Sequence, residues 1–162
     1  MKKILSILLI VMQVSACNQA TKSAQKTEKI VEVPTFSADS AYHFVQKQVD
    51  FGPRVPNTDA QLACANYLSS KLKGYGAQVI EQKADVTAFN GKTLRSINII
   101  GSYNPKAATR VLLFSHWDSR PWADNDPNPK NHDKPVLGAN DGASGVGVLL
   151  EIARQIGKTL PA

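Results

Sequence analysis

A histidine and two aspartates, held in two short polar stretches, are the residues of this sequence whose types and spacing could do chemistry. The first stretch, FSHWDSRPWADNDP (Phe114 to Pro127), places His116 and Asp118 two residues apart, directly after an apolar run. The second, GANDGASG (Gly138 to Gly145), places Asp141 in a glycine-rich turn. Imidazole and carboxylate groups together suit zinc. On spacing alone, a metal site and a pair of solvated polar loops explain these residues equally well.

The backbone around these residues favours their meeting at one place. In an extended chain successive side chains alternate between two faces, so His116 and Asp118 point to the same side. His116 could then bind a metal while Asp118 supports the site. The glycines of the second stretch let the chain around Asp141 approach closely and take backbone angles that other residues disfavour. The Asp141 carboxylate can therefore reach the same crevice.

The surrounding sequence predicts an α/β domain that carries both stretches. In chain order it predicts a helix capped by Ser37, a helix capped by Thr58 and ending at Gly74 or Gly76, a hairpin turning at Asn90-Gly91, a buried strand Val111 to Phe114, and a helix Ser144 to Ile156. This order favours a three-layer α/β/α fold with a mixed, mostly parallel sheet. Such sheets place ligand sites at the carboxyl ends of strands, where His116 and Asp118 lie.

Helical periodicity also predicts which side chains are buried. The inner face of the first helix is predicted to comprise Ala41, Val45 and Val49. Cys64 lies on the inner face of the second helix, and we expect a structural thiol there, since no histidine is placed near it in the sequence. Trp117 is expected to pack under its loop, whereas Trp122 could either pack or wall a substrate pocket.

The first 35 residues are predicted to lie outside this domain. MKKILSILLIVMQVSAC begins with two lysines, continues with an apolar run too short to span a bilayer, and ends with small residues before Cys17. We interpret residues 1–17 as a signal peptide whose VSAC ending is similar to the bacterial lipoprotein box, in which the cysteine is lipidated. The alternative is an ordinary signal peptide that leaves Cys17 as a free thiol.

The residues after Cys17 predict how the domain is presented. Residues 18–35 are polar, lack aromatic side chains and predict a disordered tether, so the globular part spans residues 36–162. We expect an exported lipoprotein, anchored to a membrane through Cys17 and facing the periplasm or the cell surface. The net charge is +6, but the basic residues are scattered, so no nucleic-acid partner is predicted.

Three stretches together resemble the secreted zinc-dependent glutaminyl cyclases and their relatives, the di-zinc aminopeptidases. They are FGPRVPNTDAQLACANYL (Phe51 to Leu68), FSHWDSRPWADNDP, and LGANDGASGVGVLLEIAR (Leu137 to Arg154). The resemblance covers nearly all of the globular part. The Phe-Gly-Pro-Arg-Val-Pro opening is similar to the bacterial branch of the cyclases.

The resemblance implies a role for each candidate site residue. Asp141 matches an aspartate that ligates zinc and that bridges two zinc ions in the aminopeptidases. His116 matches a histidine that ligates the second zinc in aminopeptidases and lines the pocket in cyclases. Asp118 matches the carboxylate that orients this histidine. The implied cofactor is Zn²⁺, with one ion for a cyclase and two for an aminopeptidase.

The implied reaction converts the N-terminal glutamine of a peptide into pyroglutamate and releases ammonia. The remaining zinc ligands of the cyclases are a glutamate from an acidic pair, whose partner shuttles the proton, and a late histidine, and neither has a counterpart after Ile156. The chain therefore resembles the N-terminal half of a longer protein, and we expect it to be inactive alone. A zinc aminopeptidase and a non-enzymatic surface lipoprotein remain as alternatives.

Overall fold

The computed structural model describes residues 33–159, which form three α-helices and one β-hairpin. The helices are α1 (Ala38–Asp50), α2 (Asp59–Gly74) and α3 (Ser144–Ile156), and the strands are β1 (Gln78–Thr87) and β2 (Thr93–Ser102). A short 3-10 helix, Pro129–Asn131, and a kinked turn, Ala139–Ala143, precede α3. The chain is therefore α/β, as the sequence predicts.

The helices begin and end at the residues that the local sequence predicts. Ser37 and Thr58 each accept a hydrogen bond on the side-chain oxygen from an amide three residues later, at 3.2 Å in both cases. These bonds satisfy amides that have no partner within the helix. Helix α2 ends at Gly74, and α3 ends at Ile156 with Gly157 after it. All of these boundaries were predicted and are confirmed.

The predicted hairpin is also confirmed. Strands β1 and β2 pair antiparallel, with Gln78 opposite Ser102 at one end and Thr87 opposite Thr93 at the other. Gly91 lies in the connecting turn with a φ of 80°, a conformation that favours glycine. Strand β1 is ten residues long, because its pairing with β2 continues along both strands to the turn.

The core lies where the three helices meet the hairpin. Its buried members are Phe44, Cys64, Leu68, Val146 and Leu150. Burying a side chain of this size stabilises a fold by about 1.5–3 kcal/mol. Cys64 is fully buried, as predicted, and burial raises the pKa of its thiol to about 11 despite the opposing charge of Arg54. The thiol therefore stays protonated and acts as a packing group.

The predicted inner face of α1 is rotated from the observed one. Ala41 is buried as predicted, but the other buried residues of α1 are Phe44 and Gln48, while Val45 and Val49 are only half-buried. Val45 nonetheless contacts α3, since a Cβ on Gly147 would lie 2.7 Å from one of its methyl carbons. The polar side chain of Gln48 is buried because α1 also contacts the turn before α3.

The predicted buried strand at Val111–Phe114 is wrong for this structure. The segment belongs to no strand, and its side chains are 83%, 80%, 53% and 85% exposed in chain order. An apolar groove of about 580 Å³ lies between the segment and β2, lined by Ile97 and Ile99 on one side and by Leu113 on the other. A strand needs a neighbour to receive its backbone hydrogen bonds. Between residues 33 and 159, Val111–Phe114 has no such neighbour.

The predicted signal peptide and nearly all of the predicted tether lie outside the described residues. Cys17 is therefore also outside the structure. Among residues 33–159, no helix combines the length and the apolar character needed to cross a membrane.

Candidate metal centre

The structure brings His116, Asp118 and Asp141 together, although they come from two separate loops. The imidazole of His116 lies between the two carboxylates. Its Nδ1 is 3.3 Å from Oδ1 of Asp118, and its Nε2 is 3.0 Å from Oδ1 of Asp141. The three side chains are 55%, 52% and 61% exposed, respectively, so solvent and ligands reach them.

A cation between Nε2 and the Asp141 carboxylate would take the place of a second imidazole proton. A neutral imidazole carries one N–H group, so it can donate to one of the two carboxylates and not to both. If Nδ1 donates to Asp118, then Nε2 and the Asp141 oxygen face each other as two acceptors 3.0 Å apart. Two ligands of a tetrahedral zinc ion lie about 3.3 Å apart, given metal–ligand distances near 2.0–2.1 Å. His116 and Asp141 therefore fit a shared metal ion.

The pair does not make a complete zinc site by itself. Within the part of the chain that the structure describes, no group of three or more histidine, cysteine, aspartate or glutamate side chains is arranged to hold a metal. A catalytic zinc usually takes three protein ligands and a water molecule. His116 and Asp141 are therefore too few to complete such a site, and Asp118 lies within hydrogen-bonding distance of the imidazole.

Two glycines allow the turn before α3 to reach His116. Gly138 and Gly142 have φ values of 63° and 95°, in the region that favours glycine. A Cβ on Gly142 would lie 2.9 Å from the carbonyl oxygen of Asp118 and 3.1 Å from the ring of His116. Any larger residue would push the two loops apart. The predicted need for glycine beside Asp141 therefore has a specific cause at Gly142.

Sequence reasoning missed the two polar residues that lie beneath this site. Gln48 and Arg54 are both fully buried. The amide of Gln48 donates to the carbonyl of Ala143 at 3.1 Å, just after Asp141. The guanidinium of Arg54 donates to carbonyls of both site loops, including that of Trp117 at 3.0 Å. The sequence signal for Arg54 is its place in the Phe-Gly-Pro-Arg-Val-Pro stretch that resembles the bacterial cyclases.

The two tryptophans of the first loop differ in environment. Trp117 packs against the core and donates from its indole nitrogen to the carbonyl of Ile97 at 3.1 Å, so the prediction that it packs is confirmed. Trp122 is 45% exposed, which leaves its side chain accessible near the site loop.

The class of protein follows from comparison of this chain with known proteins. Residues 98–161 match the model of Peptidase family M28. A structure titled as a Zn-dependent exopeptidase from Parabacteroides distasonis is 59% identical, has a TM-score of 0.80, and is matched over 81% of this chain and 45% of its own length. A leucine aminopeptidase precursor from Bacteroides thetaiotaomicron is 60% identical, with a TM-score of 0.80 and coverage of 82% and 46%. The fold is that of the zinc-dependent exopeptidases.

The resemblance also extends to a particular group within this class. Bacteroides thetaiotaomicron glutaminyl cyclase is 60% identical to this chain, with a TM-score of 0.79, over 80% of this chain and 44% of the cyclase. The chain thus spans less than half the length of each of these solved structures. The resemblance to bacterial zinc-dependent glutaminyl cyclases that the sequence predicts is confirmed.

Proposed function

We propose that the protein to which this chain belongs cyclises the N-terminal glutamine of peptides to pyroglutamate and releases ammonia. The observation that supports this most directly is the 60% identity to a glutaminyl cyclase over 80% of this chain. His116, Asp118 and Asp141 all lie within residues 98–161, which match the peptidase family model. All three side chains meet at one exposed place, which an enzyme of this class requires. This chain supplies only part of the zinc site, so the reaction belongs to the full-length protein.

Asp141 is the residue that would hold zinc in either enzyme, whereas His116 would line the pocket beside a single zinc in a cyclase and would ligate the second ion in an aminopeptidase. When bound there, zinc supplies Lewis-acid polarisation of a carbonyl oxygen, which for this substrate is the side-chain amide of glutamine. Asp118 accepts a hydrogen bond from Nδ1 of His116, and this contact orients the imidazole and directs Nε2 towards Asp141. With Nδ1 donating to Asp118, the lone pair of Nε2 would be left to face Asp141 or a metal ion.

A zinc aminopeptidase is the second candidate function. It is favoured by one specific observation, the 60% identity to the leucine aminopeptidase precursor. The two reactions differ in zinc count, since the resemblance implies one ion for a cyclase and two for an aminopeptidase. A surface lipoprotein without catalytic activity is the remaining alternative.

One experiment separates these three functions. The full-length protein is incubated with a peptide that begins with glutamine, with the same peptide acetylated at its amine, and with a peptide that begins with leucine. We expect ammonia only from the first, because cyclisation needs a free amine, and we expect about one zinc per chain. Release of free leucine with two zincs would support the aminopeptidase. Neither activity in a zinc-loaded protein would support the non-enzymatic alternative.

We propose that the complete domain has a three-layer architecture with a mostly parallel sheet, in which Val111–Phe114 becomes a strand. The support is the apolar groove between this segment and β2, together with the high exposure of four consecutive apolar side chains. Most folded proteins cover contiguous apolar patches of this kind. Hydrogen exchange on the full-length protein tests this. Slow exchange of the amides of residues 111–114 is expected, and fast exchange would contradict the proposal.

We propose that the protein is exported and anchored to a membrane through lipid on Cys17. The support is the small-residue sequence before Cys17 and the polar segment after it. Several acyl chains on one residue give stable anchoring, whereas a single chain does not. Cys17→Ser should move the protein from the membrane fraction to the soluble fraction. A wild-type protein that is already soluble after cell fractionation would contradict the anchor.

A further inference from the structure

Arg54 is a fully buried cation beneath the candidate metal centre. Among the described residues it forms no ion pair with a carboxylate, and it lies in the loop between α1 and α2. A buried charge is costly unless hydrogen bonds replace the water that it has lost. The presence of an arginine here therefore requires a specific set of acceptors.

Every acceptor of the Arg54 guanidinium is a backbone carbonyl. Its Nε donates to Trp117 at 3.0 Å, its Nη1 to Leu137 at 2.8 Å, and its Nη2 to Gly138 at 2.9 Å. Nη1 also lies 3.3 Å from the carbonyls of Gln48 and Gly52. One side chain thus connects the end of α1 with two loops that are distant in the sequence.

These carbonyls are next to the residues that the metal centre uses. Trp117 lies between His116 and Asp118 in the chain, and the carbonyl of Arg54 itself accepts the amide of Ser119 at 3.3 Å. The first loop is therefore held on both sides of Asp118. In the second loop, the carbonyl of Gly138 accepts from Arg54 and from the amide of Ala143 at 3.2 Å, so this bond closes the turn that carries Asp141.

We propose that Arg54 is a positioning residue that fixes the loop of His116 and Asp118 relative to the turn of Asp141, so that the imidazole of His116 and the carboxylate of Asp141 face each other at the zinc site. The proposal rests on the zinc site in the proposed function. It goes further because Arg54 is not a ligand, contacts none of the three side chains by a hydrogen bond, and acts only through the backbone that carries them.

The shape of arginine explains why this position needs it. The guanidinium is a planar fork with five N–H donors, whereas lysine offers three donors around a single nitrogen. A lysine would keep the positive charge, but it could not reach acceptors on both loops in the same directions. The fork also fills its space, since a Cβ on Gly138 would lie 3.0 Å from Nη2. A lysine at position 54, which has the charge but not the planar guanidinium, therefore should not hold the two loops together.

Burial and neighbouring charges act on Arg54 in opposite directions. Burial lowers the pKa of its guanidinium, while Cys64 and Asp118 raise it. Arginine remains protonated in proteins under ordinary conditions, so Arg54 stays a donor to all of its carbonyls.

The first test measures hydrogen exchange in metal-free full-length protein and in the variants Arg54→Lys and Arg54→Met. We expect amide exchange to accelerate by about 10-fold or more at Ser119 and Ala143 in both variants, because both lose hydrogen bonds that hold these loops. A tenfold change corresponds to a loss of about 1.4 kcal/mol of local stability. The matched control is Glu151→Gln. Glu151 is equally buried, but it accepts from the Ser37 amide at the start of α1, so its variant should loosen that end and not the site loops.

The second test measures zinc affinity by competition with a chromophoric chelator, and site geometry from the visible spectrum of the cobalt-substituted protein. Both Arg54 variants should bind zinc about 10-fold to 100-fold more weakly, the range for residues that support ligands, and should shift the cobalt bands. Glu151→Gln should match wild type in both measurements. If Arg54→Met does not fold, Arg54→Lys carries the test alone.

The outcomes separate the two proposals. Wild-type affinity and unchanged loop exchange in Arg54→Lys would overturn the role of the fork. An equal loss of zinc affinity in Glu151→Gln would show that Arg54 acts only through overall stability, and would also overturn it. A wild-type protein that binds no zinc would instead overturn the proposed function, and exchange at Ser119 and Ala143 would then decide whether Arg54 holds the loops.

Discussion

The two sides of the candidate metal centre differ in burial and in the kind of partner their residues contact. On the outer side, His116, Asp118 and Asp141 are each more than half exposed, and they contact one another through side chains. On the inner side, Gln48 and Arg54 are fully buried and contact backbone carbonyls of other segments. Exposed side chains can exchange partners for a ligand, whereas buried bonds to the backbone set where those side chains lie. The proposed zinc binding and the proposed positioning thus fall to different residues.

The largest expected effect is on the outer side, from loss of Asp141. We expect Asp141→Ala to reduce zinc affinity by more than about 100-fold and to abolish turnover in the full-length protein, because removal of a ligand costs more than removal of a residue that supports one. Zinc content by elemental analysis and ammonia release check this. The control is Asp133→Ala, which removes the same charge from an exposed loop position. Equal zinc content in wild type and Asp141→Ala would contradict the assignment.

Loss of His116 should have a smaller effect on a protein with one zinc. In a one-zinc cyclase His116 lines the pocket beside the ion and is not its ligand, so His116→Ala should weaken binding and turnover less than Asp141→Ala, by about 10-fold to 100-fold. In a two-zinc aminopeptidase the same variant would remove a ligand of the second ion and nearly all activity. The control is His43→Ala, on the exposed face of α1. Loss of one of two zincs in His116→Ala would favour the aminopeptidase.

Substitution of Gly142, which lies between the outer and inner sides of the site, should have an intermediate effect on zinc affinity. Gly142→Ala adds a Cβ that meets the carbonyl of Asp118 and the ring of His116, at a φ of 95°. We expect about 1–3 kcal/mol of destabilisation from the backbone alone, together with weaker zinc binding. Gly91→Ala is a matched control, because its φ is 80° and a Cβ there meets nothing within 4 Å. The temperature of thermal unfolding should fall in both variants, but zinc affinity should fall only in Gly142→Ala.

The smallest effect at the site is expected from Glu151→Gln, which should change stability and its pH dependence. Hydrogen bonds from Arg154, and then from Ser37 and Gln155, lower the pKa of Glu151 from 4.5 to about 2 against the effect of burial. A lowered pKa in the folded state means that the carboxylate stabilises the fold above about pH 4.5. This stabilisation is lost as the pH falls towards 2. Wild type should therefore unfold at a higher temperature than Glu151→Gln at pH 7.

The difference between wild type and Glu151→Gln should narrow steadily between pH 4.5 and pH 2. The unfolding temperatures of both proteins at several pH values measure this difference. Their zinc affinities at pH 7, which should be equal, show whether the outer side of the site is affected. A difference that stays constant over this range would show that Glu151 stabilises α3 by packing and not by its charge.

Several features of this protein are determined by local sequence, and for these the prediction and the structure agree. Ser37 and Thr58 cap their helices, and Asn90-Gly91 turns the hairpin, because caps and tight turns depend on residues within a few positions of each other. The pairing of His116 with Asp118 is local in the same sense, since they are two residues apart. The resemblance to glutaminyl cyclases likewise depended on short motifs and could be recognised without a structure.

Contacts between distant segments were decided by the tertiary structure alone. Val111–Phe114 has the composition of a buried strand, yet a strand forms only where a neighbouring segment receives its hydrogen bonds, and composition does not say whether that neighbour is present. The same holds for Arg54, because five carbonyls from three segments must converge before a buried guanidinium is stable there. The 3.0 Å contact of His116 with Asp141 likewise depends on how two loops pack, which spacing along the chain does not specify.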